Sequence, residues 1–417
     1  MLPEQVDVLI VGAGPTGLAL ANALQKEGVD YLLIDALEAG QNNSRAAVIH
    51  AHTLEELARV GLAAPLMAKG KPISRFTIRD RERPLLNLDF SGLPSAFRNL
   101  LMIPQAETEA LFAARLLESG GAIWRGVAAM SARADGDGAI VRVKSGPEEK
   151  DIRARYVIGA DGMHSRVREA AGIGFEGEAE AQGLVLADVS MDWPLGRDEV
   201  SFLFAPDGMV VVAPLPDGTY RIVAAMDDAP HAPDVADMQR LLDARGPRSG
   251  GCRVHEVIWG SRFRVSHRLA ETYRRGPFLI MGDAAHVHSP AGGQGMNTGL
   301  VDAILLGEAL VRVVRDGERA SLLDDYAATR RPAAARVLAL AGKLTRVATM
   351  RSAPGRWLRN VILRMLDHVP PFKRRLAMNL SGLSRRTFAR LPETSRQSPA
   401  GGRPARRVRD RPVEMLG

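Results

Sequence analysis

This 417-residue sequence predicts an α/β fold in which a discontinuous Rossmann-like domain is interleaved with an antiparallel sheet and followed by a C-terminal helical segment. Three observations lead there. Val6–Val11 is an apolar, β-branched run entering Gly12-Ala13-Gly14-Pro15-Thr16-Gly17, a GxGxxG placed between strand and helix. A second apolar run, Phe278–Met281, ends in Gly282-Asp283 and leads through a small-residue turn and the glycine-rich Gly292–Asn297 into a helical pattern from Thr298. Residues 73–95 and 183–264 read as short alternating runs between turn signals, the pattern of an antiparallel sheet.

In the first motif Gly12 permits the tight turn, Gly14 lets the backbone approach a pyrophosphate and Gly17 allows close packing of helix on strand. The diphosphate sits on the helix N-terminus, where Ala13, Pro15 and Thr16 complete the loop. The next strand, Tyr31–Ile34, ends at Asp35, where a ribose-binding carboxylate is expected. This pattern serves NAD as well as FAD. Further on, Tyr156-Val157-Ile158 runs into Gly159-Ala160 and then a DGxxSxxR stretch from Asp161 to Arg168.

The interleaved sheet is expected from Ile73–Ile78 and Leu85–Phe90 in one insertion and from Leu184–Val189, Val200–Phe204, Met209–Ala213 and Tyr220–Ala225 in the other. Pro206-Asp207-Gly208 and Pro216-Asp217-Gly218 mark its turns. Trp193, Phe202, Phe204 and the Met209–Val212 run suggest an apolar pocket. The alternation leaves open whether Met209, Val211 and Ala213 or Val210 and Val212 face it. Near the C-terminus Trp357, Leu358, Val361, Ile362, Met365 and Leu366 recur at helical spacing with Arg356, Arg359 and Arg364 among them. Such a stripe is expected to pack on its own domain, with a membrane-surface helix as the alternative. The proline-, glycine- and arginine-rich end, 392–417, is expected to be a flexible basic tail.

Composition narrows the class. One cysteine, Cys252, excludes an internal disulfide and a thiolate metal cluster, so no metal is expected and a reducing, cytoplasmic location is. No apolar run reaches the roughly 18–20 residues of a spanning helix. The net charge of +7 is local: residues 351–417 hold 16 Lys/Arg against 4 Asp/Glu, leaving the preceding 350 residues with 39 against 44. No nucleic-acid partner is therefore expected, and peripheral membrane contact is tied to the basic C-terminal segment alone.

A Gly-Asp turn before a glycine-rich helix start offers a carboxylate for a polyol hydroxyl and backbone N–H groups for electron-rich oxygens, and a flavin needs both. With Gly12–Gly17, Asp161–Arg168 and Gly282–Asn297 in this order, the chain resembles the p-hydroxybenzoate hydroxylase-like, single-component FAD-dependent aromatic monooxygenases over about residues 5–345. The connecting pieces Ser44-Arg45-Ala46, His52–Leu57 and Arg268-Leu269-Ala270 share in it.

The resemblance implies an FAD-binding domain of residues 1–72, 96–182 and 265–345, a substrate domain of 73–95 and 183–264 whose sheet covers the flavin, and C-terminal helices over 346–391. It further implies that NADPH or NADH reduces the FAD, that O2 adds at the flavin C4a, and that an aromatic or polyketide-like small molecule is hydroxylated. It assigns Asp35 to the adenosine ribose, Arg45 and Gln105 to the pyrophosphate–ribose region, and the backbone near Ala129 to adenine. Asp283 falls to the ribityl chain, and the backbone of Gly293, Gly295, Met296 and Asn297 to the flavin ring.

Asp161 falls to the pyrophosphate loop, with Arg166 or Arg168 beside the nicotinamide donor, and Pro290 faces the reacting region. His288 is a candidate for assisting substrate deprotonation, with His50 and His52 as further candidates and His286 assigned to packing. The alternatives are a flavin-dependent reductase, a halogenase of related fold, against which stands the missing Trp-x-Trp-x-x-Pro, and a non-catalytic flavin-binding module.

Overall fold

The computed structural model describes residues 1–40, 46–226, 229–288, 292–348, 350 and 352–392. Along the chain the framework is β1 (Gln5–Val11), α1 (Pro15–Glu27), β2 (Tyr31–Asp35), α2 (Ala51–Arg59), α3 (Gln105–Glu118), β3 (Glu148–Gly159), β4 (Phe175–Asp192), β5 (Arg253–Ala270), β6 (Phe278–Ile280), α4 (Gly295–Leu310), α5 (Leu322–Ala348), α6 (Ala353–Asp367) and α7 (Pro370–Leu380). β1, β2 and β6 read as apolar runs because their side chains are buried on both faces of the sheet they form.

That first sheet runs from Arg274–Arg275 through β6, β3, β1 and β2 to Trp124–Arg125; β6 to Trp124–Arg125 are parallel, while Arg274–Arg275 on β6 and the hairpin Val127–Asp135/Gly138–Ser145 on β3 are antiparallel. Its register matters most. Val11 of β1 lies opposite Gly159 of β3, and Gly159 lies opposite Ile280 of β6. Three turns far apart in sequence therefore emerge side by side at the carboxyl ends of neighbouring strands, where open α/β sheets bind ligands. Backbone bonds tie those ends together, Ala160 N–H to Val11 O at 2.8 Å and Met281 N–H to Gly159 O at 3.0 Å.

The second sheet has eight strands, from His286–Val287 through β5, β4, Tyr220–Ala225, Gly208–Pro214 and Glu199–Ala205 to Arg75–Asp80 and Arg83–Asp89. It joins the two insertions as expected, but the seam is parallel: Glu199–Ala205 runs alongside Arg75–Asp80 in the same direction, and every other pairing is antiparallel. β4 and β5, paired from Phe175–Ala270 to Asp192–Arg253, pass without a break from the first sheet's surroundings into the second. The expected domain limits at 182/183 and 264/265 fall inside these strands.

A helix that the sequence reading did not anticipate, Val235–Arg245, opens with a capping box between Asp234 and Asp237 and lays Met238, Leu241 and Leu242 on the back of the second sheet. The expected tail lies outside the described residues from 393 onward, and no described helix is long and apolar enough to cross a membrane.

Candidate active site

Gly12 stands at φ +105°, and a Cβ there would meet Ala160 O at 2.4 Å; one at Gly17 would meet Gly12 O at 1.9 Å. Both glycines are thus demanded by the turn itself. Gly14 differs, since nothing lies within 4 Å of the place its Cβ would occupy. That empty side opens onto the N-terminus of α1, where Gly14 caps without a side-chain bond and Pro15 occupies the first turn. Free N–H groups beside an unfilled cradle fit a diphosphate. Thr16 packs its side chain against Gly282 and Gly299, so the first and third motifs touch.

The second motif is rigidified by its own carboxylate. Asp161 accepts from Ser165 Oγ at 2.5 Å and from the backbone N–H of Arg166 and Val167 at 2.7 and 3.2 Å. Burial outweighs these donors and holds its carboxyl above the ordinary value. Arg168 is buried, donates to Ala284 O at 3.0 Å and Met163 O at 2.9 Å, and lies 3.9 Å over the Phe175 ring. It is a strut between the second and third motifs and is not among the residues that line the cavity. Arg166 is exposed at the cavity rim.

The third motif rests on a buried network with no counterpart in the sequence reading. Asp302 of α4, fully buried, meets His286 Nε2 at 2.7 Å, accepts from Arg330 Nε at 2.6 Å and from Gly282 N–H at 3.2 Å. Burial alone would raise its carboxyl pKa, but Arg330 and His286 hold it below the usual range. His286 is thus held from within by Asp302 while also bordering the cavity. One signal was legible: Asp302 is the single charge in the otherwise apolar stretch 298–307.

The glycine-rich segment is clamped from three sides. Asn297 Nδ2 donates to Val48 O at 2.9 Å and Gly293 O at 2.8 Å, while its Oδ1 accepts from His50 N–H at 2.8 Å. Gln294 donates to Leu380 O at 3.0 Å and accepts from Arg385 at 2.5 Å. Gly293 sits at φ +62° with Val48 2.3 Å from where its Cβ would be. The α4 N-terminus carries no side-chain cap, so the first-turn N–H groups of Gly295, Met296 and Asn297 are left to whatever occupies the cavity.

These parts line one cavity of ≈ 1410 Å³. Its polar end holds Gly12–Thr16, Asp35, Gln105, Ala129, Asp161 and Asp283. Asp35 accepts from Ala13 N–H at 2.6 Å, and Gln105 donates to Glu109 at 2.8 Å. Arg125 and Glu109 line the same end and were not anticipated; burial keeps the Glu109 carboxyl above its usual value. Gly293, Gly295, Met296, His50 and His288 lie between the ends, with the His288 ring 3.9 Å from a Cβ built on Gly295. Arg45 and Pro290 fall outside the described residues.

The apolar end is lined by Phe76, Val200, Phe202, Phe204, Met209, Val211, Ala213 and Phe263 of the second sheet and by Leu363, Phe372, Leu376 and Leu380 of α6 and α7. Val210 and Val212 face the covering helix instead. Trp193 is there too, 6.5 Å from the Tyr220 ring, so its expected place in the pocket is wrong: it belongs to the far face. Arg221 ties the second sheet to the segment before α2, bonding Asp188 at 2.7 and 2.6 Å and donating to Ala46 O at 2.8 Å.

Among the histidine candidates, His50 is buried on the cavity wall with no partner on Nδ1. Burial, then Arg385, pushes its pKa down to about 3, so it is neutral at working pH and no proton acceptor there. His52 lies outside the cavity, 3.7 and 3.9 Å from Glu55 and Glu56. No group of described residues forms a metal site.

Comparison with known proteins agrees with this geometry. The family model described as "FAD binding domain" matches residues 5–341. The 6-methylpretetramide 4-monooxygenase of Streptomyces rimosus is 37% identical over 398 residues, covering 92% of this chain and 71% of that protein. Among solved structures, the OxyS anhydrotetracycline hydroxylase from Streptomyces rimosus superposes with TM-score 0.75 at 33% identity over 91% of this chain and 76% of that one. The p-nitrophenol 4-monooxygenase PnpA of Pseudomonas putida DLL-E4 shares the fold, with TM-score 0.83 at 24% identity over 91% and 99% of the two chains.

Proposed function

The chain belongs to the FAD-binding family of aromatic monooxygenases, and from that premise we propose that it hydroxylates a large, mostly apolar aromatic or polyketide-like molecule with NAD(P)H and O2. The observation that carries this reading is the continuous cavity that joins the two ends. At ≈ 1410 Å³ it exceeds the roughly 300–1,000 Å³ of a pocket for one drug-sized ligand, and its two ends differ in chemistry. One end suits a dinucleotide. The other, walled by phenylalanines and aliphatic side chains, suits a ring system larger than a simple phenol. The names of the relatives, 6-methylpretetramide 4-monooxygenase and anhydrotetracycline hydroxylase, support the larger substrate.

In this reading the N-terminus of α1 and Gly14 hold the FAD diphosphate, with Asp161 shaping the adjoining loop. Asp35 and Gln105 take the adenosine side, with Ala129 beside the adenine. Asp283 takes the ribityl chain, and the N–H groups of Gly293, Gly295, Met296 and Asn297 take the electron-rich edge of the flavin, where the α4 dipole favours negative charge. Bound and reduced, FAD supplies the activation of O2. The chain's own residues position the substrate and keep water out: the second sheet walls the reacting region, and Arg221, paired with Asp188, holds that sheet against Ala46. His288, on the cavity wall near Gly295, is taken as the residue beside a substrate hydroxyl, and neutral His50 lies on the same wall.

The test is a screen of phenolic and multi-ring compounds with the FAD-loaded protein, scored by stimulated NADPH or NADH consumption and by mass of product under labelled O2. One labelled oxygen atom in the product is expected. A protein that takes up no FAD, or a product formed without oxygen gain, would overturn the reading.

A further inference from the structure

Helix α6 is inverted relative to the ordinary surface helix. Its polar residues hold it to the protein: Arg359 is buried 3.6 Å over the Phe204 ring, Asn360 donates to Asp80 at 2.9 Å, and Asp367 accepts from Asn87 N–H at 2.9 Å. Four of its large apolar residues face outward. Trp357 is 68% exposed and Met365 66%, with Leu358 and Ile362 beside them at i+1 and i+5 from Trp357. Of the 13 exposed large hydrophobic side chains among the described residues, seven lie between Val347 and Val369. The sequence expectation that this stripe packs on its own domain is therefore wrong, because Arg359 occupies the inner face.

The surroundings are strongly basic. Residues 343–375 contain nine Lys/Arg and one Asp/Glu. Lys343, Arg346, Arg364, Arg374 and Arg375 are exposed. Among the described residues no carboxylate pairs with Arg364, Arg374 or Arg375. A face that combines Trp, Leu, Ile and Met with flanking arginines matches the interfacial region of an anionic bilayer, where aromatic and aliphatic side chains enter the acyl boundary and guanidinium groups meet phosphates. A neutral protein partner would leave that charge uncompensated.

The same helix is also a wall of the cavity. Leu363 lines it from the inner side of α6, and Val347, at the end of α5, both lines the cavity and is 39% exposed. The apolar surface thus continues from the outside of α6 past Val347 into the substrate end.

We propose that this face docks peripherally on anionic membrane surfaces and that apolar substrate passes from the lipid past Val347 to the cavity. The passage rests on the hydroxylase reading; the docking does not. The test is co-flotation of the purified flavoprotein with vesicles of phosphatidylcholine alone or mixed with phosphatidylglycerol. Flotation with the anionic vesicles only, loss of it at high salt and a blue shift of Trp357 emission are expected.

Trp357→Ser with Met365→Ser should abolish flotation while leaving flavin absorbance and substrate-free NADPH oxidation unchanged. Arg364→Gln and Arg375→Gln should each weaken binding roughly fivefold. Wild type that stays unbound with anionic vesicles, or a Trp357→Ser/Met365→Ser variant that floats like wild type, would overturn the docking. So would light scattering that shows a dimer dissolved by the same variant without vesicle binding, which assigns the face to a second copy. Vesicle binding without any hydroxylated product in the compound screen would sink the function and leave the docking standing.

Discussion

At Asp302 a fully buried carboxylate meets His286 at 2.7 Å and Arg330 at 2.6 Å, and its acceptance from Gly282 N–H fixes the turn that carries Asp283. Breaking a buried ion pair by removing one partner strands the other charge. Asp302→Asn should therefore cost about 3 kcal/mol in urea unfolding at pH 7 and lower FAD retention. The pH dependence follows from the depressed folded pKa. The stability contributed by Asp302 is present above its ordinary value of 3.8 and is lost as pH falls through its lower folded value, so the variant should lack that acid limb.

His50 works in a neighbouring window. Between about pH 6.5 and 3 the unfolded chain binds a proton that the buried imidazole refuses. At about 1.4 kcal/mol per pKa unit, stability should fall by roughly 5 kcal/mol as pH drops across that range. His50→Gln should flatten this part of the profile, as read from unfolding midpoints at stepped pH. A variant whose profile still falls between pH 6.5 and 3 would place the decline elsewhere.

The strand Gly208–Pro214 shows what a single element decides. Its residues are apolar on both faces, because one face meets the helix Val235–Arg245 and the other the cavity. Two neighbouring valines therefore have different jobs. Val210→Ala should cost about 2 kcal/mol of stability with normal flavin content, since it empties space in a packed core. Val211→Phe should leave the fold intact and instead raise KM or abolish turnover for the largest substrates while sparing small phenols. Equal effects of the two on activity would contradict the assignment of faces. In α6 the same kind of reading from spacing alone fails. The stripe Trp357–Met365 has the period of a packed helix, yet the cation–π stack of Arg359 on Phe204 turns it outward.

On the scale of the whole molecule, the C-terminal helices are part of the site. Leu380 O accepts from Gln294, Phe388 O accepts from Arg330 at 2.7 Å, and Ser381 O accepts from His52 N–H at 3.2 Å, so α7 and the turn after it buttress the glycine-rich segment. Because parts of the chain as distant as Gly14 and Leu380 line one cavity, FAD should stabilise the entire protein as one unit. At 100 times the dissociation constant the gain is about 2.7 kcal/mol, which should raise a single melting transition. Two transitions, only one moved by FAD, would mean that the second sheet unfolds independently.

The sequence by itself determined the cofactor site's parts and their order. GxGxxG, DGxxSxxR and Gly-Asp are local solutions to strand-to-helix turns and remain legible wherever the fold puts them. Apolar runs likewise announced β1, β6 and the strands of the second sheet. The tertiary structure alone decided what depends on the neighbours: the side-by-side register of Val11, Gly159 and Ile280, the face of Met209–Ala213 that lines the cavity, the Asp302–His286–Arg330 network and the outward turn of Trp357. The physical reason is one and the same. Periodicity records that a side chain is buried or exposed on average, whereas what it is buried against is set by elements that lie tens to hundreds of residues away.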